Sequence, residues 1–327
     1  MLPFETLEPR QLRDATSPYV INGTSGNDVI TVNYSPPPVL TQVVALRRFL
    51  RGSLFNSDIA EITVNGVTTT AHIPMSQRIV INGLDGNDTI KVIGAHPVDA
   101  HGDKGNDTVT GGSGADTIWG GWNNDILRGG AGNDTLIGES GDDNLQGDAG
   151  ADLLSGTDGY DTADYSARTA ALSITVDGLP GDGQAGEGDN VGLDMEIIEC
   201  GSGNDFVSAA GPSWGVQLYG NLGNDTLEGS DGPDYLEGSK GGDALFGSGG
   251  DDIIAGDWCW ASRHAHPATS GDDGANFMRG NAGKDSLYSG FSLAHDTMCG
   301  DQGDDFLFCD RNDVVDGGSG DDDIITF

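Results

Sequence analysis

Basic residues are scarce in this chain. It has 327 residues, with 15 Lys and Arg against 52 Asp and Glu and a formal charge of -37, so nothing in it resembles the basic footprint that a nucleic-acid partner requires. Long apolar runs are missing too: no stretch of about 18 apolar residues occurs, which excludes a helical transmembrane segment. Only 36% of the residues are hydrophobic and 7% aromatic, which argues against a conventional globular core. The N-terminal MLPFETLEPRQLRDATSPY lacks the basic start and apolar run of a secretory signal peptide. The four cysteines, Cys200, Cys259, Cys299 and Cys309, are even in number but sparse, and fit either one or two disulfides or four small buried thiols.

Catalytic signatures are equally thin. There is no HExxH for a zinc protease and no GxSxG elbow for an α/β-hydrolase. Carboxylates are so numerous that facing pairs are inevitable and carry no evidence for glycosidase chemistry. The insertion DWCWASRHAHP offers Cys259, His264 and His266 as ligands for zinc or copper, against the plainer reading of an exposed polar loop held by Trp258 and Trp260. His72, His96, His101 and His295 are scattered. A lyase or epimerase on a long β face would have to draw on Tyr160, Tyr165 and Arg168 beside Asp164, or on Arg263 with the histidines.

What the chain has in abundance is glycine, 54 residues, and aspartate, 43 of the 52 acids. The short Asp side chain suits tight turns and close metal ligation better than a helix surface. So much charge of one sign reads as disorder by self-repulsion unless something cationic binds.

Gly and Asp recur with a period of nine. Writing the unit as G-x-x-G-x-D-x-U-x, with U aliphatic, the sequence aligns without gaps from Gly102 to Asp164, with Asp107, Asp116, Asp125, Asp134, Asp143, Asp152 and Asp161 in the sixth place. The U residues are Val109, Ile118, Leu127, Leu136, Leu145, Leu154 and Ala163. A second block starts with CGSGNDFVS at 200–208, passes a degenerate unit GPSWGVQLY, and continues through Asp225, Asp234, Asp243 and Asp252. After the insertion the sixth places hold Asn276, Asp285, Asp296, Asp305, Asp313 and Asp322. Single units also stand at 23–31 (GTSGNDVIT) and 83–91 (GLDGNDTIK).

Mechanically, the glycines allow positive φ and close backbone approach, so the first six residues form a turn. The last three form a short strand whose middle side chain points inward. Two units make an 18-residue coil, and stacked coils predict two parallel sheets with the U residues facing each other. The fold class is therefore all-β, a parallel β-roll or β-helix solenoid. One aliphatic residue per nine is a thin spine, and an Asp ladder repels itself from coil to coil. Dications cure both faults, because carboxylate and turn carbonyl oxygens are the hard ligands that Ca²⁺ takes six to eight at a time. Several Ca²⁺ ions, about 8 to 14 at one per two or so facing turns, would cancel some 16 to 28 charges.

These units resemble the RTX or haemolysin-type calcium-binding repeat, whose signature is GGxGxDxUx. The resemblance implies a β-roll in which each Ca²⁺ lies between the sixth-position Asp of one turn and carbonyls of the turn stacked on it. Carried over residue by residue, the Asp role falls to Asp88, Asp107, Asp116, Asp125, Asp134, Asp143, Asp152 and Asp161 in the first block. In the second block it falls to Asp205, Asp225, Asp234, Asp243, Asp252, Asp285, Asp296, Asp305 and Asp322. The carbonyls implied are those near Gly102, Gly111, Gly120, Gly129, Gly138, Gly147, Gly220, Gly229, Gly238 and Gly247. The pattern is broken where Asn123, Trp214, Ala294 and Arg311 replace the fourth-position Gly and where Val216 and Asn276 replace the Asp. Asn tolerates a left-handed turn, so the Asn123 unit should survive. The turn holding Trp214 and Val216 should stack without an ion of its own, and Arg311 makes Asp313 a doubtful ligand.

The segment DYSARTAALSITVDGLPGDGQAGEGDN resembles the connector between roll blocks, expected to form longer strands that cap or extend the solenoid. VVALRRFL is ambiguous between strand and helix, while EITVNGVTTT signals a hairpin around its Asn-Gly; both are expected within wider coils of the same stack. LEPRQLRDA partly resembles the LEPR-x-LL element of exported and surface bacterial proteins, with Arg13 in place of a Leu, and the closing DIITF resembles the C-terminal signal of RTX exporters. The organisation expected is a targeting-like segment at 1–20, irregular first coils with an insertion at 21–101, a regular roll at 102–164, connector strands at 165–199, and a second roll at 200–327 with an insertion at 257–270. The function expected is calcium binding that couples folding to extracellular calcium in a secreted or surface structural or adhesive protein. Its partners would be calcium ions and a cell-surface or matrix polysaccharide or protein. The alternative is a carbohydrate-active enzyme, or a fragment of an RTX exoenzyme or toxin.

Overall fold

A computed structural model of the chain describes residues 18–35, 57–64, 67–74, 77–210, 213–256, 274–290 and 294–326. The N-terminal LEPRQLRDA, the VVALRRFL segment, the Asn-Gly at 65–66, the insertion carrying Cys259, His264 and His266, and Phe327 lie outside the described residues.

The nine-residue period becomes a stack of flattened coils. Within each unit the three residues after the Asp are extended, as in Thr108–Thr110, Asn144–Ala149 and Thr226–Glu228. Strands pair in parallel with those one full coil away: Leu127 faces Leu145 and Leu136 faces Leu154, an offset of 18 residues. The alternation along each strand sends U inward. Val109, Ile118, Leu127, Leu136, Leu145, Leu154 and Ala163 are all fully buried, as are Val207, Leu218, Leu227, Leu236, Leu245 and Ile254 in the second half. The core is this double file of aliphatic side chains, one per unit.

Among the described residues three sheets form, rather than one pair. A 15-stranded sheet begins at the strand Val67–Pro74 and ends at Asp323–Thr326. Facing it are a seven-stranded sheet, from Tyr19–Asn22 to Asn190–Val191, and an eight-stranded sheet that includes Leu172–Thr175 and closes with Val314–Asp316. The long sheet passes through the connector without a break, as Thr162 pairs with Ile197 and Ile197 with Gln217.

The connector departs from the expected longer strands. Its strands are short, and one coil widens from 18 to 37 residues, with Leu153 paired to Asn190. The stretch LSIT is extended as its alternation predicts, parallel to Phe206–Ser208 and antiparallel to Gly183–Gln184. At the other end Tyr19 pairs with Ile79, so that coil spans 60 residues. The added chain includes the predicted hairpin, Ser57–Val64 against Val67–Pro74, which pairs antiparallel to Val29–Ser35 and ends the long sheet. Among the described residues no helix is long and apolar enough to cross a membrane, and Cys200, Cys299 and Cys309 are unpaired thiols.

Candidate metal sites at the turns

The backbone of each turn fixes the site. The second position is often left-handed even without glycine: φ is 76° at Asp103, 75° at Glu139, 66° at Asp148 and 78° at Thr157. The fourth-position glycines Gly105, Gly132, Gly141, Gly150 and Gly159 also have positive φ, and a Cβ on Gly150 would collide with the carbonyl of Gly132 one coil back. Asn123, with φ 77°, fills that place as the sequence predicts.

On this backbone the Asp side chains form columns. The N–H of Asp107 donates to Oδ1 of Asp125 (2.7 Å), that of Asp125 to Asp143 (2.8 Å) and that of Asp143 to Asp161 (2.8 Å). The facing column runs from Asp116 through Asp134 to Asp152 (2.7 Å at each step). In the second half Asp205, Asp225, Asp243, Asn276 and Asp296 make one column. Asp234, Asp252, Asp285, Asp305 and Asp322 make the other. Asp88 joins the start of the first column by donating its N–H to Asp107 (2.7 Å).

One carboxylate oxygen is thus spent on the neighbouring coil, and the other is left over. Oδ2 is buried and without a hydrogen-bond partner in Asp88, Asp107, Asp125, Asp134, Asp143, Asp152, Asp161, Asp205, Asp225, Asp243, Asp252, Asp285 and Asp305. Burying such an oxygen unpaired is costly. Each, except Asp205 whose unit begins with Cys200, faces the bare Cα of its own unit's first glycine: a Cβ built on Gly83 would lie 2.6 Å from Asp88 Oδ2 and 2.7 Å from the Gly102 carbonyl oxygen. The carbonyls of Gly120, Gly129, Gly138 and Gly147 stand likewise over the cradles of Gly102, Gly111, Gly120 and Gly129. Those of Gly238 and Gly247 stand over the cradles of Gly220 and Gly229.

Burial drives these carboxyls toward the neutral form, with like charges in adjacent coils adding to it. The pKa rises to about 8 for Asp125, Asp225 and Asp252. It rises to about 7 for Asp134, Asp152 and Asp161, and to about 6 for Asp107, Asp143, Asp243, Asp285 and Asp296. Two positions differ in kind. Asp116 Oδ2 accepts the Gly112 N–H (2.7 Å) and Asp234 Oδ2 accepts the Ser230 N–H (2.6 Å).

The donor set fits calcium. It is made of carboxylate and backbone carbonyl oxygen, and among the described residues no three His, Cys, Asp or Glu side chains converge as a transition-metal site would need. A cation against the unpaired oxygens would satisfy them and offset the repulsion along each column.

Three acids outside the predicted set belong to the same system. Asp28 lies in the 23–31 unit, with Oδ2 near the Gly23 cradle and the Gly83 carbonyl. Asp189 Oδ1 accepts the Asp152 N–H (2.9 Å) and Glu196 Oε2 accepts the Asp161 N–H (2.9 Å), so the connector completes both columns of the first roll. The Asp28 unit is visible in the sequence. Asp189 and Glu196 sit 37 and 35 residues from their partners, and no period points to them.

The broken units behave differently from one another. Val216 is buried and brings no carboxylate to the column, to which it gives its N–H, donated to Asp234 Oδ1 (2.7 Å). Asn276 keeps the column through Oδ1, while its buried Nδ2 has no partner and faces Gly256. Asp313 spends both oxygens on backbone, on the N–H groups of Asp296 (3.1 Å) and Asp310 (2.8 Å). Of the would-be enzyme residues, Arg263 lies outside the described residues, and Tyr165, Arg168 and Asp164 are engaged locally. Tyr165 is buried and donates to Asp189 (3.1 Å), Arg168 pairs with Glu187 (3.0 Å), and Asp164 bonds Ser166.

Fold and turn geometry together define a calcium-type β-roll. A family model described as the RTX calcium-binding nonapeptide repeat, four copies, matches residues 101–136, 128–163, 219–257, 270–307 and 310–326, just under half of the chain. The chain thus carries RTX calcium-binding nonapeptide repeats. No curated protein matches the chain. The columns run beyond the matched segments, into the coils of Asp28 and Asp88 and through the connector.

Proposed function

We propose that this protein is a calcium-folded, secreted or cell-surface solenoid whose role is structural or adhesive. The single observation that carries the reading is the repeated pairing of a buried, unpartnered Asp Oδ2 with a glycine carbonyl of the next coil. When bound, Ca²⁺ supplies the positive charge that the columns lack. The chain's own part is to hold Oδ1 in the inter-coil ladder so that Oδ2 and the carbonyl stay in place. The ligands in this reading are Asp88, Asp107, Asp125, Asp134, Asp143, Asp152, Asp161, Asp205, Asp225, Asp243, Asp252, Asp285 and Asp305, with weaker sites at Asp116, Asp234, Asp296 and Asp322.

An extracellular setting follows from the same coupling. A stack with these columns gains stability where free calcium is abundant and loses it where calcium is scarce. The enzyme alternative gains no support from Tyr165 and Arg168, which are both tied into the connector. The reading is tested by counting bound calcium after equilibrium dialysis while following the radius of gyration by small-angle X-ray scattering. Binding of many ions per chain together with compaction is expected. A stripped chain that takes up no calcium, or binds it with no change in radius, overturns the proposal.

A further inference from the structure

The unit GPSWGVQLY departs from the repeat twice, with Trp214 in place of a glycine and Val216 in place of the Asp. Where a carboxylate is lost, aromatic side chains come to the surface. Trp214 is 44% exposed and Tyr160 is 61% exposed. Together they border a groove of about 460 Å³ across the stacked turns beside the long sheet, which Glu196, Gln217, Tyr235 and Asp251 also line. The stack itself brings these residues together, since Ile197 pairs with Gln217 and Gln217 with Tyr235.

The polar groups of the groove are only partly committed. Glu196 uses Oε2 on the Asp161 N–H, Asp251 uses Oδ1 on the Lys284 N–H, and Gln217 Oε1 accepts the Tyr219 hydroxyl (3.1 Å). The Gln217 amide N–H groups, the Trp214 indole N–H and the second oxygen of Asp251 make no hydrogen bond among the described residues and remain available as donors and acceptors. Among the described residues no Lys, Arg or His lines the groove, and three carboxylates do, those of Glu196, Asp234 and Asp251, so an anionic ligand is repelled. Flat aromatic faces next to a mixed set of neutral donors and carboxylate acceptors suit a ring that has an apolar C–H face and hydroxyl edges.

We propose that this groove binds a neutral oligosaccharide, with Trp214 and Tyr160 as stacking platforms and Gln217, Glu196 and Asp251 holding hydroxyl groups. The inference deepens the adhesive reading and rests on it, because the groove exists only when the coils are stacked. A Lys-rich peptide would also meet the carboxylates, but it would leave the uncharged Gln217 and Trp214 donors unused.

The test is affinity electrophoresis of the calcium-loaded full chain in gels containing laminarin, dextran, galactomannan or arabinogalactan, with alginate as the anionic control and poly-L-lysine as the cationic one. Far-UV circular dichroism on the same samples shows first that each variant is folded, which separates a failure of calcium folding from a failure of the groove. Retardation by at least one neutral polysaccharide is expected, weakened about tenfold by Trp214→Ala and by Tyr160→Ala. Trp122→Ala is the control, since Trp122 is exposed elsewhere, beneath the Lys104 ammonium. No retardation by any neutral polysaccharide, equal retardation of folded Trp214→Ala and wild type, or binding of poly-L-lysine alone overturns the proposal.

Discussion

The backbone N–H of Asp107 donates to Oδ1 of Asp125 at 2.7 Å, while Oδ2 of Asp125 is buried without a donor. One side chain therefore does two separable jobs. Oδ1 registers the coils, and Oδ2 is the calcium ligand in the proposed reading. Asp125→Asn keeps an acceptor for the ladder but removes the charge. A calcium titration followed by circular dichroism should show its folding midpoint moved up about two- to fivefold, with a Tm close to wild type at saturating calcium. An unchanged midpoint would remove Asp125 from the ligand set.

Glycines at the first and fourth positions of the unit should fail in different ways. Gly150 has φ 149° and its Cβ would strike the Gly132 carbonyl, so Gly150→Ala opposes stacking at any calcium level, by roughly 2–4 kcal/mol in denaturant melts. Gly120 has no positive φ, and a Cβ there would meet Asp125 Oδ2 and the Gly138 carbonyl (2.7 Å). Gly120→Ala should therefore bind fewer calcium ions by equilibrium dialysis.

The pH dependence follows from the raised carboxyls. Asp125, Asp225 and Asp252 are pushed up to about 8 on folding, from an unfolded value of about 4. Between those limits the folded state holds more protons than the unfolded one. The stability they contribute is complete below about pH 4 and is lost as pH climbs through about 8. In excess chelator, the partial β signal in far-UV circular dichroism should be greatest near pH 5, where these carboxyls are neutral, and should fall toward about pH 8. With calcium the trend should reverse, because the ion needs the deprotonated form. A β signal of the stripped protein that rises across this window would contradict the raised values.

Leu84 stands at φ 82° in a place where most side chains are strained. Leu84→Gly should raise stability by roughly 1 kcal/mol in melts at saturating calcium.

Most of the roll is legible in the sequence because period and chemistry coincide. The same nine-residue step that sets the U residues Leu127, Leu136 and Leu145 inward also sets Asp125, Asp134 and Asp143 at the turns. The hairpin of Ser57–Val64 and Val67–Pro74 is legible for a local reason too, since an Asn-Gly between two strand-like runs predicts their pairing. The continuity of the long sheet through the connector is not, because the pairing of Thr162 with Ile197 spans 35 residues of non-repeating chain. The roles of Asp189 and Glu196 depend on that pairing and so leave no local trace. Nor does sequence spacing distinguish Asp116 and Asp234, whose Oδ2 atoms are satisfied by local N–H groups, from their unsatisfied neighbours.

The central claim, that calcium completes this fold, is tested most directly by titrating calcium into the stripped chain at about 0.1 M salt and following far-UV circular dichroism, with magnesium as control. The account predicts a transition from coil to β signal near 0.1–1 mM calcium, as an order of magnitude for extracellular sites, and none with magnesium. A chain that shows its full β signal in excess chelator would contradict it.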